Sequence, residues 1–169
     1  MNLLIVYATV VFVPMLLEAL LSRRNEQALR SRGAIEPPGD VYRLMLIAYP
    51  AAFLLMLLEG GYRDPHIDVV VTAGFTIFVA AKLLKYWAVT TLGERWTYRV
   101  LVLPDVPLVA SGPYRLLRHP NYLAVVGELV GAALLVHAFV TGPVAVLGFG
   151  ALMLARIRVE ERALGLRSS

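Results

Sequence analysis

The chain has 169 residues, 59% of them hydrophobic and 17% charged, and a formal net charge of +4. A soluble core of this size needs far less apolar surface, whereas a polytopic membrane protein needs this much. Cysteine is absent, which excludes disulfides, thiolate nucleophiles, cysteine-based metal sites and palmitoylation. The basic residues lie between apolar runs rather than in one patch, which argues against a nucleic-acid partner.

Apolar runs long enough to span a bilayer, about 20 residues each, begin near Asn2, Val41, Ile67, Asn121 and Thr141. They predict an all-α, polytopic protein of about five transmembrane helices, the last being the shortest, with residues 1–169 forming a single integral membrane domain. The first run ends near Ser22 and is followed by Arg23-Arg24 instead of a small-residue cleavage site, so it is expected to be retained as a helix. The polar segment from Arg23 to Asp40 suits a short interfacial helix in its first half. Gly33, Pro37, Pro38 and Gly39 close it as a turn.

Pro50 sits centrally in the second run, where it frees a backbone carbonyl and predicts a kink. In the third run, from about Ile67 to Thr91, Lys82 and Lys85 share one face and read as snorkelling anchors beside Tyr86 and Trp87. From Leu92 to Pro120 the chain is broken by Gly93, Pro104, Pro107, Gly112, Pro113 and Pro120, and a loop of that length is usually functional. The fourth helix starts at Asn121, and Gly127 and Gly131 have the spacing that permits close helix contact.

Arg23, Arg24, Arg30, Arg32 and Arg43 flank the first connection; Lys82, Lys85, Arg95, Arg99, Arg115 and Arg118 flank the third; Arg156, Arg158, Arg162 and Arg167 lie at the C-terminus. The second connection has only Arg63 and the fourth has none. By the positive-inside rule this predicts a cell (inner) membrane protein with its N-terminus outside and its C-terminus and long loops in the cytoplasm. Contact with anionic membrane lipid accounts for many of these arginines.

Two groups of residues carry chemistry. His119-Pro120 precedes the fourth helix, so the N–H groups of that helix start face an adjacent corner that suits an anionic carboxylate. Arg115 and Arg118 add charge-assisted donors there. Glu160 and Glu161 end the last span, where the helix dipole and nearby hydrocarbon both disfavour carboxylates. Either Arg156 pairs with Glu160 at i, i+4, or a carboxylate accepts bonds from ribose hydroxyls, as an acidic residue does in dinucleotide folds. The two groups read as halves of one cofactor site in a cytoplasmic pocket.

Glu128 is embedded in the fourth helix, where an acid is either functional or a hydrogen-bonded helix contact. Glu18 and Glu59 lie nearer span ends and are more easily solvated. No ligand set for a metal is visible, and His66 and His137 belong on the opposite membrane side from His119.

Gly112-Pro113-Tyr114-Arg115 with Arg118-His119-Pro120-Asn121-Tyr122, then Arg156-Ile157-Arg158-Val159-Glu160-Glu161, resembles the isoprenylcysteine carboxyl methyltransferase family of integral membrane methyltransferases. Thr91-Leu92-Gly93-Glu94-Arg95-Trp96, the Leu103-Pro104 step, Arg24-Asn25-Glu26 and Gly33-Ala34 bring it closer to the family's small bacterial branch. The resemblance implies S-adenosylmethionine held by Tyr114, Arg118, His119, Pro120, Tyr122, Arg158, Glu160 and Glu161, and a lipophilic small-molecule acceptor entering from the bilayer. Some members of that branch methylate products of type III polyketide synthases. That implies an alkylpyrone or alkylphenol hydroxyl as acceptor and a functional link to such a synthase.

Eukaryotic members carry a longer tail after the paired glutamates than this sequence has before Ser169, which turns the expectation away from a prenylcysteine. Methyl transfer from a sulfonium is an in-line displacement that asks for alignment, exclusion of water and proton removal. Arg99, near Trp96, is expected to hold an acceptor oxyanion, and Glu128 or Glu94 to take its proton. The alternatives are carboxyl methylation of an isoprenylcysteine, a membrane NADPH-dependent sterol-type reductase and a small proton-coupled transporter.

Overall fold

The computed structural model describes residues 3–104 and 106–166, so Asn2 at the start of the first apolar run and Arg167 of the C-terminal basic cluster lie outside the described residues. Five helices build the fold: α1 (Leu3–Ser31), α2 (Tyr42–Arg63), α3 (Val69–Leu92), α4 (Pro120–Leu135) and α5 (Thr141–Ala163). Four of them, α1, α2, α3 and α5, are long and apolar enough to cross a membrane.

The short helix is the fourth and not the last. α4 has 16 residues and α5 has 23. Sixteen residues rise about 24 Å, short of the roughly 30 Å of a hydrocarbon core. Local sequence sets both ends of α4: Pro120 occupies the first helical turn, where a missing N–H costs nothing, and His137 just beyond the last turn takes a left-handed φ of 54°. The helix tolerates its length because nine of its 16 residues are buried among its neighbours, so its ends meet protein instead of lipid.

Small residues set how closely α3 approaches α4. A Cβ added at Gly131 would lie 2.6 Å from the backbone nitrogen of Phe78, one at Gly74 2.7 Å from that of Leu135, and one at Gly127 2.8 Å from the Cβ of Ala81. The pairs 74 with 135, 78 with 131 and 81 with 127 run in opposite directions, so α3 and α4 are antiparallel and the spacing of Gly127 and Gly131 does permit close contact. Around this pair a core of Tyr7, Phe53, Met56, Phe78, Leu129 and Val136 is almost fully buried.

The first helix does not stop near Ser22. It continues unbroken to Ser31, and no separate interfacial helix forms. The extra turns serve as a platform: buried Ser22 accepts a hydrogen bond from Tyr98 N at 2.8 Å, and buried Asn25 donates through Nδ2 to the carbonyls of Trp96 at 2.8 Å and Gly93 at 3.2 Å. The loop after α3 is thereby fastened to α1 by its own backbone. A two-bond antiparallel bridge between Ile35 and Val102 closes the same side. Pro50 lies inside α2, and the helix continues through it.

Replacing Gly131 with Ala should force α3 and α4 apart and cost about 1–3 kcal/mol, the range for overpacking. Gly150, where an added Cβ meets nothing within 4 Å, should accept Ala without loss. Thermal unfolding of both variants in detergent measures the contrast, and equal melting temperatures would contradict this packing.

Candidate functional site

The start of α4 and the end of α5 meet at one end of the bundle. Tyr122 Oη donates to Glu160 Oε2 at 2.8 Å, and His119 Nε2 lies 3.2 Å from Glu161 Oε1. The His119 and Tyr122 rings pack 5.5 Å apart, so the two side chains grip the two glutamates as a unit. Arg156 does not pair with Glu160 along its helix. Tyr122 stands between them: Arg156 Nε donates to Tyr122 Oη at 3.0 Å, and the guanidinium is buried beside Asp40 Oδ1 at 3.7 Å. The helical i, i+4 pair is replaced by a relay through a tyrosine from α4.

A cavity of about 780 Å³ opens from this corner. Tyr114, Arg118, His119, Pro120, Asn121, Tyr122, Arg156 and Glu160 line its polar end. Trp96 through Val102 line one side, Lys85 reaches it from α3, and the apolar lining includes Phe12, Met15, Leu16 and Ala19 of α1, Met45, Leu46, Tyr49 and Pro50 of α2, and Phe149 and Met153 of α5. Burial, with the Glu160 charge adding to it, pushes the Tyr114 phenol up. At the other end of the bundle, the His66 and His137 rings lie 5.8 Å apart, and both imidazoles are within 4.0 Å of Asp68. They do not converge with His119.

Among the expected acceptor residues, Trp96 and Arg99 line the cavity. Trp96 is buried with its ring 5.3 Å from Tyr98. Arg99 stacks its guanidinium 4.2 Å over Tyr42 and bonds Glu36 at 2.7 Å, with Glu26 at 3.4 Å. Partial burial raises the Glu36 carboxyl, yet hydrogen bonds from Arg30 and Arg99 hold it below its ordinary value. Arg158 is exposed and outside the lining, and Glu161, also outside it, meets His119 of the lining. Glu94 is exposed beside Arg32 at 3.4 Å.

Glu128 does not line the cavity either. It is buried in a quartet with Lys82, Lys85 and Glu18. Lys82 Nζ lies 3.0 Å from both Glu18 and Glu128, and Lys85 Nζ lies 2.6 Å from Glu18 and 3.2 Å from Glu128. Tyr49 Oη donates to Glu128 Oε2. Lys82 and Lys85 are therefore not snorkelling anchors, and Glu18 is not solvated: their side chains are 22%, 4% and 16% exposed. Two positive and two negative charges in apolar surroundings neutralise one another, which isolated spans cannot reveal.

The donor set fits an adenosyl cofactor. Asn121 Oδ1 is buried at the cavity with no hydrogen-bond partner among the described residues. Glu160 has an oxygen beyond the one that Tyr122 occupies, suited to hydroxyl donors. Arg118 and the start of α4 offer positive potential for a carboxylate.

A helical bundle with four helices long and apolar enough to cross a membrane, and a polar clasp at one end of a largely apolar cavity, defines a multi-pass membrane protein. Residues 73–165, more than half of the chain, match the isoprenylcysteine carboxyl methyltransferase (ICMT) family, and the chain belongs to it as a membrane methyltransferase. The family's methyltransferases use S-adenosylmethionine. The chain is 31% identical over 147 residues to the uncharacterized protein YpbQ of Bacillus subtilis (strain 168), covering 87% of this chain and 88% of that one. It is 28% identical over 145 residues to an uncharacterized protein of Haemophilus influenzae, covering 85% and 84%. No solved structure matches. The reductase and transporter readings find no support in these relationships.

If Glu128 is half of a charge lock, Glu128→Gln should leave two buried lysines on one carboxylate and cost about 3–5 kcal/mol. Adding Lys85→Met should recover part of that loss. Melting curves in detergent measure both; an undiminished melting temperature with lost turnover would instead assign Glu128 to the chemistry.

Proposed function

We propose that the chain transfers a methyl group from S-adenosylmethionine to the hydroxyl oxygen of a lipophilic small molecule, an alkylpyrone or alkylphenol, at the cytoplasmic side of the inner membrane. When bound, the cofactor supplies an electrophilic methyl on a sulfonium. The chain's own residues supply the rest. Glu160, steadied by Tyr122, accepts from the ribose hydroxyls through its remaining oxygen. Arg118, Asn121 and the start of α4 receive the methionine end, and His119 anchors Glu161 behind them. The acceptor's alkyl chain lies among Phe12, Met15 and Leu16, with its ring beside Trp96.

One observation carries the choice of a neutral hydroxyl over a carboxylate. Of the cations lining the cavity, Lys85 is committed to Glu18 and Glu128, Arg99 to Glu36 and Glu26, and Arg156 to Asp40, while Arg95 and Arg118 are exposed. A carboxylate acceptor brought into this chamber would meet paired charges and lose its hydration without replacement. A neutral hydroxyl avoids that cost. Its proton leaves to water at the open, polar end of the cavity, and Glu128 stays committed to the two lysines. This acceptor class is what supports a functional link to a type III polyketide synthase.

Purified protein given labelled cofactor with an alkylpyrone and with an acetyl-farnesylcysteine should label the pyrone, and activity should climb with alkyl chain length at about 0.8 kcal/mol per buried methylene before levelling off. Label entering only the prenylcysteine ester would refute the hydroxyl assignment and leave the methyltransferase class standing. Glu160→Gln and His119→Ala should each weaken S-adenosylhomocysteine binding by about 1–3 kcal/mol, measured by calorimetry, with folding intact.

The cytoplasmic placement is tested separately. Single cysteines at Arg32 and Leu116 should be shielded from an impermeant thiol reagent in intact cells, while cysteines at Tyr62 and Val140, both well exposed, should be labelled. The opposite labelling pattern would invert the topology.

A further inference from the structure

Asp40 lies outside the segment that matches the family and in none of the motifs that mark the site. Its side chain is nevertheless 4% exposed. Gly39, at a φ of 86°, turns the chain at this point into the start of α2. Oδ1 then accepts from Tyr42 N at 3.1 Å, Oδ2 accepts from Val100 N at 3.1 Å, and Arg156 Nη1 lies 3.7 Å away. A single carboxylate thus joins α2, the loop carrying Arg99, and α5. Burying it is costly unless its charge is answered, and Arg156 provides the answer.

What Arg156 does next depends on that pairing. A tyrosine hydroxyl has one hydrogen to give and lone pairs to receive. With Arg156 Nε donating into Tyr122 Oη at 3.0 Å, the hydroxyl hydrogen is left for Glu160 Oε2 at 2.8 Å. Arg156 and Glu160 are also spaced i, i+4 on α5, the separation at which an arginine and a glutamate pair directly on a helix. A direct pair would occupy the Glu160 oxygen that Tyr122 leaves open.

We propose that Asp40 is a positioning residue of the cofactor site: it holds Arg156 away from Glu160 and on Tyr122, so that Glu160 keeps one oxygen directed to the cofactor. Asp40 touches neither ligand and acts through Arg156 and Tyr122. The proposal rests on the S-adenosylmethionine reading above.

Asp40→Asn keeps one oxygen, for one of the two backbone N–H donors, loses the acceptor of the other, and removes the charge that Arg156 answers. S-adenosylhomocysteine binding to the full-length protein in detergent, measured by calorimetry, should weaken about tenfold, the equivalent of about 1.4 kcal/mol. Arg156→Gln added to Asp40→Asn should restore most of that affinity, because a neutral amide can still donate to Tyr122 and forms no ion pair with Glu160. A merely structural Asp40 gives no such rescue. Should Asp40→Asn fail to fold, Tyr122→Phe cuts the same relay without touching Asp40, and a similar loss is expected. Wild-type affinity in a folded Asp40→Asn protein, or a double variant weaker than the single, would overturn the proposal alone; undiminished binding by Tyr122→Phe would overturn it together with the part given to Tyr122 in the clasp. Absence of binding to the wild-type protein would overturn the cofactor reading together with it.

Discussion

Four charges buried where hydrocarbon should be are the constraint on which the rest of the molecule depends. Glu18 on α1, Lys82 and Lys85 on α3 and Glu128 on α4 are tolerable only together, since removing one partner leaves an uncompensated charge in a low-dielectric interior. Three helices are therefore fixed relative to one another before any apolar packing is considered. Tyr49 adds α2 through its bond to Glu128. Neutral as a whole and individually expensive, the quartet specifies which helices are neighbours more sharply than the surrounding leucines and valines can.

From that register the site follows. α4, too short to cross on its own, is held deep in the bundle by α3 through glycine contacts, and its start falls opposite the end of α5. His119 and Tyr122 then meet Glu161 and Glu160. Carboxylates at a helix C-terminus oppose the helix dipole, and the fold offsets this with a tyrosine hydroxyl, an imidazole and Arg156 behind them. Beside this short helix lies the apolar part of the cavity, lined by α1 and α2 with Val125 of α4 and Phe149 and Met153 of α5. Polar clasp and lipophilic chamber are two consequences of one helix placement.

The parts visible in the sequence were those with a local cause. Apolar run lengths gave the helices, the Gly127 and Gly131 spacing gave a real close contact, and the two charged motifs were legible as one neighbourhood because isolated carboxylates at a span end need partners. The parts that were not visible depend on pairing between distant segments. Lys82 and Lys85 beside Tyr86 and Trp87 look like interfacial anchors until Glu18 and Glu128 are known to face them. Nothing in the composition of Arg23 to Ser31 shows that Ser22 and Asn25 bind the backbone of a loop some 70 residues away, which is what keeps that stretch helical. Arg156 was readable as a partner of Glu160, since the spacing is right; that Tyr122 comes between them is a tertiary fact. Asp40, in a turn of Pro and Gly, carries no signal at all.

The central claim is that the His119–Tyr122 turn and the Glu160–Glu161 end together form the cofactor site. An experimental structure of the chain with S-adenosylhomocysteine tests it most directly. The ribose hydroxyls should lie within hydrogen-bond distance of the Glu160 oxygen not used by Tyr122, with the methionine end toward Arg118 and Asn121. Cofactor density elsewhere in the bundle, with Glu160 free of ligand, would contradict it.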